Sequence, residues 1–568
     1  GCQRGGMFLD LKSKSQRALI TDVAVCGVLV FVATTVWSMN GGEGFPFWAG
    51  QSDPLLEGPD SGEWAANAVA FSNGQYDDLD PHRMPTFVIL TGLFSKITPS
   101  IAYAGHLVNH LVHTLLPIVL YGIGRLSGSR SAGIGAGVMV AVSPLLVAAS
   151  WRFGVDPTIA FMVPLTLLFG MMAGRWWKMA PIAGVVGAFG ASSHFTTLFH
   201  PLVGLLAVVL ISKGWRNRSL AVAGYVAGVA AGLLVIFRIF PFAGISGLES
   251  ALFEGIVAGS QSISGTATVA SEPAIAALKS GLPDSVSGAV SNSLEQLFSS
   301  AVPWGLMVFS LWFGILGIGL KRAPDGKGIA RLLGMCDWRG GILLVACLAP
   351  LPLLYASGAE LRYSYNLLPI VCLVYMRGLV SMAVCFELLI RWGTFRYLPK
   401  GWSSRLVGVS GLVIAIFVAR SYWANSINSN VQLPPAMSAT AGWAIGNRVG
   451  ELFPEDGGAV SPLREALIYA DKSYCPHTVC PATGTTSAFW DCLSIAKREC
   501  DGEGDIPWVV VWRSRFDERS EARKMMDEWV VEQFGILDTV EVPFGRPEFK
   551  ATIVSIPREA ITDRSRRP

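Results

Sequence analysis

The chain has 568 residues, 51% of them hydrophobic and 15% charged, with a net charge of +3 and a mean hydropathy of +0.47. Soluble domains carry about 25% charged residues, so a water-soluble globule is excluded, and so small a positive surplus gives no ground for nucleic-acid binding. The apolar residues form continuous runs of about 20 rather than alternating patterns, as bilayer-crossing helices do.

The chain therefore reads as a polytopic α-helical membrane protein with about eleven transmembrane helices. In chain order they fall near 18–38, 101–124, 131–150, 157–174, 180–193, 198–212, 219–240, 300–320, 341–356, 364–386 and 405–422. Gly1-Cys2 is a fragment of a lipobox-like pattern. Residues 18–38 are nevertheless expected to be a membrane helix, because no small-x-small cleavage site follows them. The connections alternate in charge. One set carries Lys12, Lys14, Arg17, Arg125, Arg130, Arg175, Lys178, Lys213, Arg216, Arg218, Lys321, Arg322, Lys327, Arg331, Arg339, Arg391, Arg396, Lys400 and Arg405. The other, with the C-terminal tail set aside, carries Arg83, Lys96, Arg152, Lys279 and Arg362. The positive-inside rule places the first set and the N-terminus in the cytoplasm, and an odd number of spans puts the tail outside.

Two units follow: a transmembrane unit, 1–422, and an extracytoplasmic α/β domain, 423–568. Within the first, 40–100 is a large external loop, and 241–299, rich in Gly, Ser and Ala, is a lid-like loop. In the tail, 506–512, 537–542 and 550–556 read as strands and 517–534 as a helix. Cys475, Cys480, Cys492 and Cys500 crowd together there. In a non-cytoplasmic domain they predict two disulfides, with Cys475–Cys480 and Cys492–Cys500 the first choice of pairing. A zinc site with His477 is the alternative, although the spacings match no common zinc knuckle.

Residues 58–87, GPDSGEWAANAVAFSNGQYDDLDPHRMPTF, concentrate charge in a hydrophobic chain. Asp60 and Glu63 have the form of a capping box, Trp64, Ala68 and Phe71 share one helical face, and Gly74 suits a helix end. Pro85 opens a second short helix with Phe87, Leu90, Phe94 and Ile97 apolar. Two amphipathic helices lying on the outer membrane surface are expected. Asp77, Asp78, Asp80, His82 and Arg83 fall in their connection, either as solvated loop charges or as a site.

This pattern resembles the C-type superfamily of membrane glycosyltransferases, GT-C. The likeness is to its lipid-linked-sugar branch of protein O-mannosyltransferases and aminoarabinose transferases. It is carried by Asp60 with Glu63 and Trp64, then Gly74, then His82-Arg83-Met84-Pro85. A further match is ELRYSYNLLPIVCLVY, 360–375, through Arg362, Tyr363 and Pro369. Many relatives have Asp-Glu where this chain has Asp60-Ser61, which leaves open which first-loop carboxylate is catalytic.

The resemblance implies transfer of a sugar from a polyprenyl-phosphate carrier to a glycan, lipid or protein acceptor on the outer face of a bacterial inner membrane. It implies a carboxylate base, Asp60, with Glu63 and the second-loop Asp156 as assistants or metal ligands. Arg83 and Arg362, with Tyr363, His82 and Arg152, are the candidates for the donor phosphate. Arg152 can equally snorkel to the bilayer surface. His194 and His200 sit near an external turn, and with Asp78 they are the candidates for a divalent metal such as Mg or Mn. His106, Asn109, His110 and His113 form a stripe that suits either a hydrogen-bonded helix seam or a metal. Two other functions compete: a lipid-linked-sugar transporter, although no internal repeat is evident, and a non-catalytic subunit of a membrane assembly.

Overall fold

Apolar runs and their punctuation set the helices. The computed structural model describes residues 4–40, 59–76, 79, 83–151, 153–194, 197–240, 304–317, 337, 339–348, 367–393, 437–452, 459–460, 508–513, 532–541 and 550–556. The helices are α1 (Arg4–Asn40), α2 (Pro59–Asn73), α3 (Pro85–Phe94), α4 (Ile101–Leu126), α5 (Arg130–Ala141), α6 (Pro144–Ser150) and α7 (Asp156–Arg175). They continue as α8 (Ala180–Ala191), α9 (His200–Ile211), α10 (Trp215–Ile239), α11 (Trp304–Leu316), α12 (Gly340–Leu348), α13 (Leu368–Gly393) and α14 (Met437–Leu452). Ser100 and Ser129 cap α4 and α5 by accepting the backbone N–H groups of Tyr103 and Ala132.

Five described helices are long and apolar enough to cross a bilayer: Ala18–Ser38, Ile101–Leu126, Asp156–Arg175, Trp215–Arg238 and Leu368–Cys385. Leu19, Val23 and Phe31 leave an apolar face of α1 exposed, which fits contact with lipid. The sequence expectation differs in three places. The span expected at 131–150 breaks into α5 and α6 at Pro144, because the residue before a proline is disfavoured in the helical region. The spans expected at 180–193 and 198–212 are helices of 12 residues each. Each covers only about 18 Å, against about 30 Å of hydrocarbon. Thirdly, neither of the two expected surface helices lies exposed: Trp64, Ala65, Ala66, Asn67 and Ala68 of α2 are buried, as are Pro85, Thr86, Phe87, Val88, Ile89, Thr91 and Gly92 of α3. Residues 241–299 and 405–422 lie outside the described residues.

The main core joins α4, α5, α7 and α13 through Leu120, Ile123, Val140, Leu167, Leu373 and Tyr375. Close approach depends on small residues, as is usual between membrane helices. A Cβ on Gly124 of α4 would lie 2.6 Å from the backbone nitrogen of Gly133 of α5.

The end of the bundle reached by the C-terminus of α4 is polar. Asp22 of α1 is buried and accepts a hydrogen bond from Tyr121 Oη at 2.5 Å. It also pairs with Arg125 at 2.7 Å and Arg130 at 2.9 Å. Arg377 of α13 is fully buried and pairs with Asp337 at 3.1 Å, while donating to the Ser127 carbonyl at 3.0 Å. Arg125, Arg130, Arg175 and Arg339, all from the basic set of connections, thus gather at one end.

The described tail forms a mixed sheet of β1 (Ala459–Val460), β2 (Trp508–Arg513), β3 (Asp538–Glu541) and β4 (Lys550–Ile556), in the order β1-β2-β4-β3. β1 runs parallel to β2, and β4 lies antiparallel between β2 and β3, with Val510 opposite Val554 and Val540 opposite Ala551. The three strands expected from sequence are present, and β1 is additional. Arg448 of α14 pairs with Asp538 of β3 at 2.5 Å. That hydrogen bond, followed by one from the Thr539 N–H, holds the Asp538 carboxyl below its ordinary range. Most of the helix expected at 517–534, and Cys475, Cys480, Cys492, Cys500 and His477, lie outside the described residues. Among the described residues, Cys26 is a free thiol.

Candidate active site

The site grows from the start of α2. Pro59 occupies the first helical turn, where its missing N–H costs nothing, and alanines at 65, 66, 68 and 70 carry the helix forward. Gly74, at φ 75°, closes it. Its N–H donates to the Phe71 carbonyl at 3.2 Å, and that of Gln75 to the Ala70 carbonyl at 2.9 Å, the paired bonds of a Schellman end. Asp60 therefore lies within the first turn rather than at the cap. Glu63, expected to reach back to the cap, reaches forward instead and forms an ion pair with Arg83.

Arg83 is held on two sides. Besides Glu63, the Trp64 ring lies beneath its guanidinium, with 5.3 Å from the guanidinium carbon to the ring centroid. Both charged side chains are about four-fifths buried, at 21% exposure for Arg83 and 17% for Glu63. A cation against an indole face gains quadrupole attraction that water would otherwise screen.

Two further segments lock onto this pair. The Ser61 hydroxyl donates to the Phe153 carbonyl at 2.7 Å, tying the first turn of α2 to the second loop. Phe87 of α3 meets Trp64 edge-on at 5.8 Å and Phe153 edge-on at 5.5 Å. A Cβ at Gly105 would overlap the Phe153 ring, so glycine there admits it. Asp156, three residues after Phe153, opens α7 and is partly buried. Thr86, just after the Arg83-Met84-Pro85 element, donates from its N–H to the Ser192 carbonyl at 3.1 Å and from its hydroxyl to the Phe189 carbonyl at 2.7 Å. That anchors Arg83 beside the turn carrying His194 and His200. Within the turn, the Thr197 hydroxyl donates to the His194 carbonyl at 2.6 Å, and His200 Nδ1 contacts the Thr197 carbonyl at 3.0 Å.

The structure thus brings together Glu63, Arg83, the segment with Asp156 and the turn of His194 and His200, all at the first-loop end of the bundle. The side chain of Asp60 lies outside the described residues, but its backbone is adjacent to Ser61 and hence to the second loop. Asp78, His82, Arg152, Arg362 and Tyr363 also lie outside them. Among the described residues no group of three or more His, Cys, Asp or Glu converges on a common point that could hold a metal. The histidine stripe of α4 behaves as a seam: His106 meets Phe153, His110 packs on Trp37 of α1, and His113 bonds the Ala141 backbone. Trp37 in turn stacks on Trp151 at 4.4 Å. Ser61, Thr86 and Thr197 join the loops, and nothing in the sequence marks them, since a lone hydroxyl carries no pattern.

Comparison with known proteins bears on this arrangement. Residues 82–240, which contain Arg83, Asp156, His194 and His200, match the family model described as dolichyl-phosphate-mannose-protein mannosyltransferase. No similar sequence was found among curated proteins. The fold is similar to that of ArnT from Cupriavidus metallidurans bound to undecaprenyl phosphate. There the TM-score is 0.54 at 14% identity, covering 94% of this chain and 97% of that one. The apo state of the same protein gives 0.51 at 14% identity, covering 95% and 98%. The archaeal oligosaccharyltransferase AglB from Archaeoglobus fulgidus is also similar, at 0.47 and 12% identity over 95% and 76%. The likeness of fold to that ArnT structure thus covers 94% of this chain and is not confined to the first loop.

Proposed function

We propose that the chain is a membrane glycosyltransferase that moves a sugar from a polyprenyl-phosphate carrier to an acceptor hydroxyl at the extracytoplasmic end of the bundle. The observation that carries this reading is the Arg83 guanidinium, held by Glu63 and Trp64 where the start of α2, the segment before α7 and the end of α8 come together. Guanidinium groups bind phosphate in a fork, and a cation in a water-poor site stabilises the charge that a leaving phosphate develops. The undecaprenyl phosphate in the similar Cupriavidus ArnT structure supports the carrier class.

In the reaction, the acceptor oxygen attacks the anomeric carbon and the bond from that carbon to the phosphate oxygen breaks. The electron pair leaves with the polyprenyl phosphate, and the hydroxyl proton passes to a carboxylate. Asp60 takes that proton in this reading, with Asp156 as its assistant. Arg83 holds the leaving phosphate, and Arg362, Tyr363, His82 and Arg152 complete the anion site. Glu63 orients Arg83 through their ion pair and does not serve as the base.

The test is binding of undecaprenyl phosphate to the protein in bilayer discs. Arg83→Ala should weaken it by about tenfold or more, the equivalent of one charge-assisted contact. Arg83→Lys, which keeps the charge but loses the fork, should fall between. Unchanged affinity in Arg83→Ala would remove Arg83 from the donor site.

A further inference from the structure

At the opposite end of α4, about 39 Å along a helix of this length, the chain builds a second cationic site. The last carbonyls of α4 carry the negative end of its dipole and lack helical partners. Arg175 donates to the Leu126 carbonyl at 3.0 Å and Arg339 to the same oxygen at 3.2 Å. Two cations from different connections therefore converge on one neutral acceptor, with Arg125 beside them in sequence.

The acidic partners at this end are already engaged. Asp337 pairs at 3.1 Å with the fully buried Arg377 and stands 3.8 Å from Arg339. Asp22 is shared between Arg125 and Arg130. Among the described residues here, five guanidinium groups face two carboxylates. Except for Arg377, these arginines are partly exposed, with side-chain exposures of 48% for Arg125 and 33% for Arg339. The depth of the cluster is marked by indoles: Trp176, Trp177 and Trp215 are exposed in the adjoining connections. Exposed tryptophans of a membrane protein favour the headgroup level. Among the described residues, the arginines thus combine surplus positive charge, fork-shaped donors and headgroup depth where α4, α7 and the turn before α12 meet.

We propose that Arg125, Arg175 and Arg339 bind the phosphodiester headgroup of an anionic phospholipid in the adjoining leaflet. Basic recesses between membrane helices suit such headgroups, and a guanidinium fork matches the phosphate oxygens. The lipid would supply the negative charge that the Leu126 carbonyl cannot. The site is separate from the candidate active site and does not depend on the reaction assigned there.

The experiment is native mass spectrometry of the full chain, released from micelles holding equal amounts of phosphatidylglycerol and phosphatidylcholine. Wild-type protein should retain phosphatidylglycerol in several-fold excess. Arg175→Gln with Arg339→Gln should bring retention to the phosphatidylcholine level, and soluble glycerophosphate should not displace the lipid. Equal retention of the two lipids by wild type, or undiminished preference in the double variant, overturns the proposal. Displacement by glycerophosphate also overturns it, in favour of a soluble phosphate. Should the double variant fail to fold, Arg125→Gln and the wild-type competition still decide.

Discussion

The Arg83 guanidinium sits between a carboxylate and an indole in a mostly buried setting, so each charged partner depends on the other. Removing one leaves an uncompensated charge, which costs more than the pair contributes. Glu63→Ala and Arg83→Ala should each lower unfolding stability by about 1–3 kcal/mol. The double variant should cost less than their sum, by about 1 kcal/mol. Strict additivity in denaturant unfolding would show that the two do not act as a unit. The residue types of this site were legible in the sequence, because acidic and basic residues are rare in so apolar a chain. Their pairing was not, since Glu63 and Arg83 are twenty positions apart and a capping box offered Glu63 a nearer partner. Arg377 and Asp337 escaped notice although a signal existed: an arginine inside a membrane-length apolar run is costly and must have a partner.

At the scale of elements, α2 and α3 hold the site by packing against each other. A Cβ on Gly92 of α3 would stand 2.5 Å from a ring carbon of Phe71 and 3.1 Å from the Ala68 carbonyl, so the two helices touch there without room for a side chain. Gly92→Leu should force them apart, cost about 1–3 kcal/mol and lower transfer activity with it, because Trp64 and Arg83 lie on the same two segments. A variant with wild-type melting and activity would mean that this contact does not set the site. The end of α2 and the start of α3 were readable here from Gly74 and Pro85, residues whose backbone restrictions act locally, whereas the cap expected at Asp60 falls inside the first turn. The surroundings of α3 were not. Phe87 and Val88 are apolar whether they face lipid or protein, and only tertiary packing against Trp64 and Phe153 distinguishes the two. The same ambiguity makes 180–193 and 198–212 resemble full spans in sequence, although each holds only a short apolar helix.

For the whole molecule, α4 separates two polar ends. One carries Arg83, Glu63, Asp156 and the His194–His200 turn, and the other carries the arginines around Leu126 and Asp22. Charge bias in the sequence assigns the second end to the cytoplasm. A cysteine introduced at Gln75 should then react with a membrane-impermeant maleimide in intact cells. One at Lys178 should react only after the membrane is opened, and the reverse pattern would invert the topology. The central claim is chemical, and one measurement addresses it most directly. Wild-type protein and Asp60→Asn are supplied in bilayer discs with a panel of polyprenyl-phosphate-linked sugars and acceptors, and released polyprenyl phosphate is followed. Asp60→Asn should turn over about 100-fold or more slowly than wild type, as loss of a general base demands, while binding undecaprenyl phosphate as tightly. Release by Asp60→Asn at the wild-type rate would contradict the account.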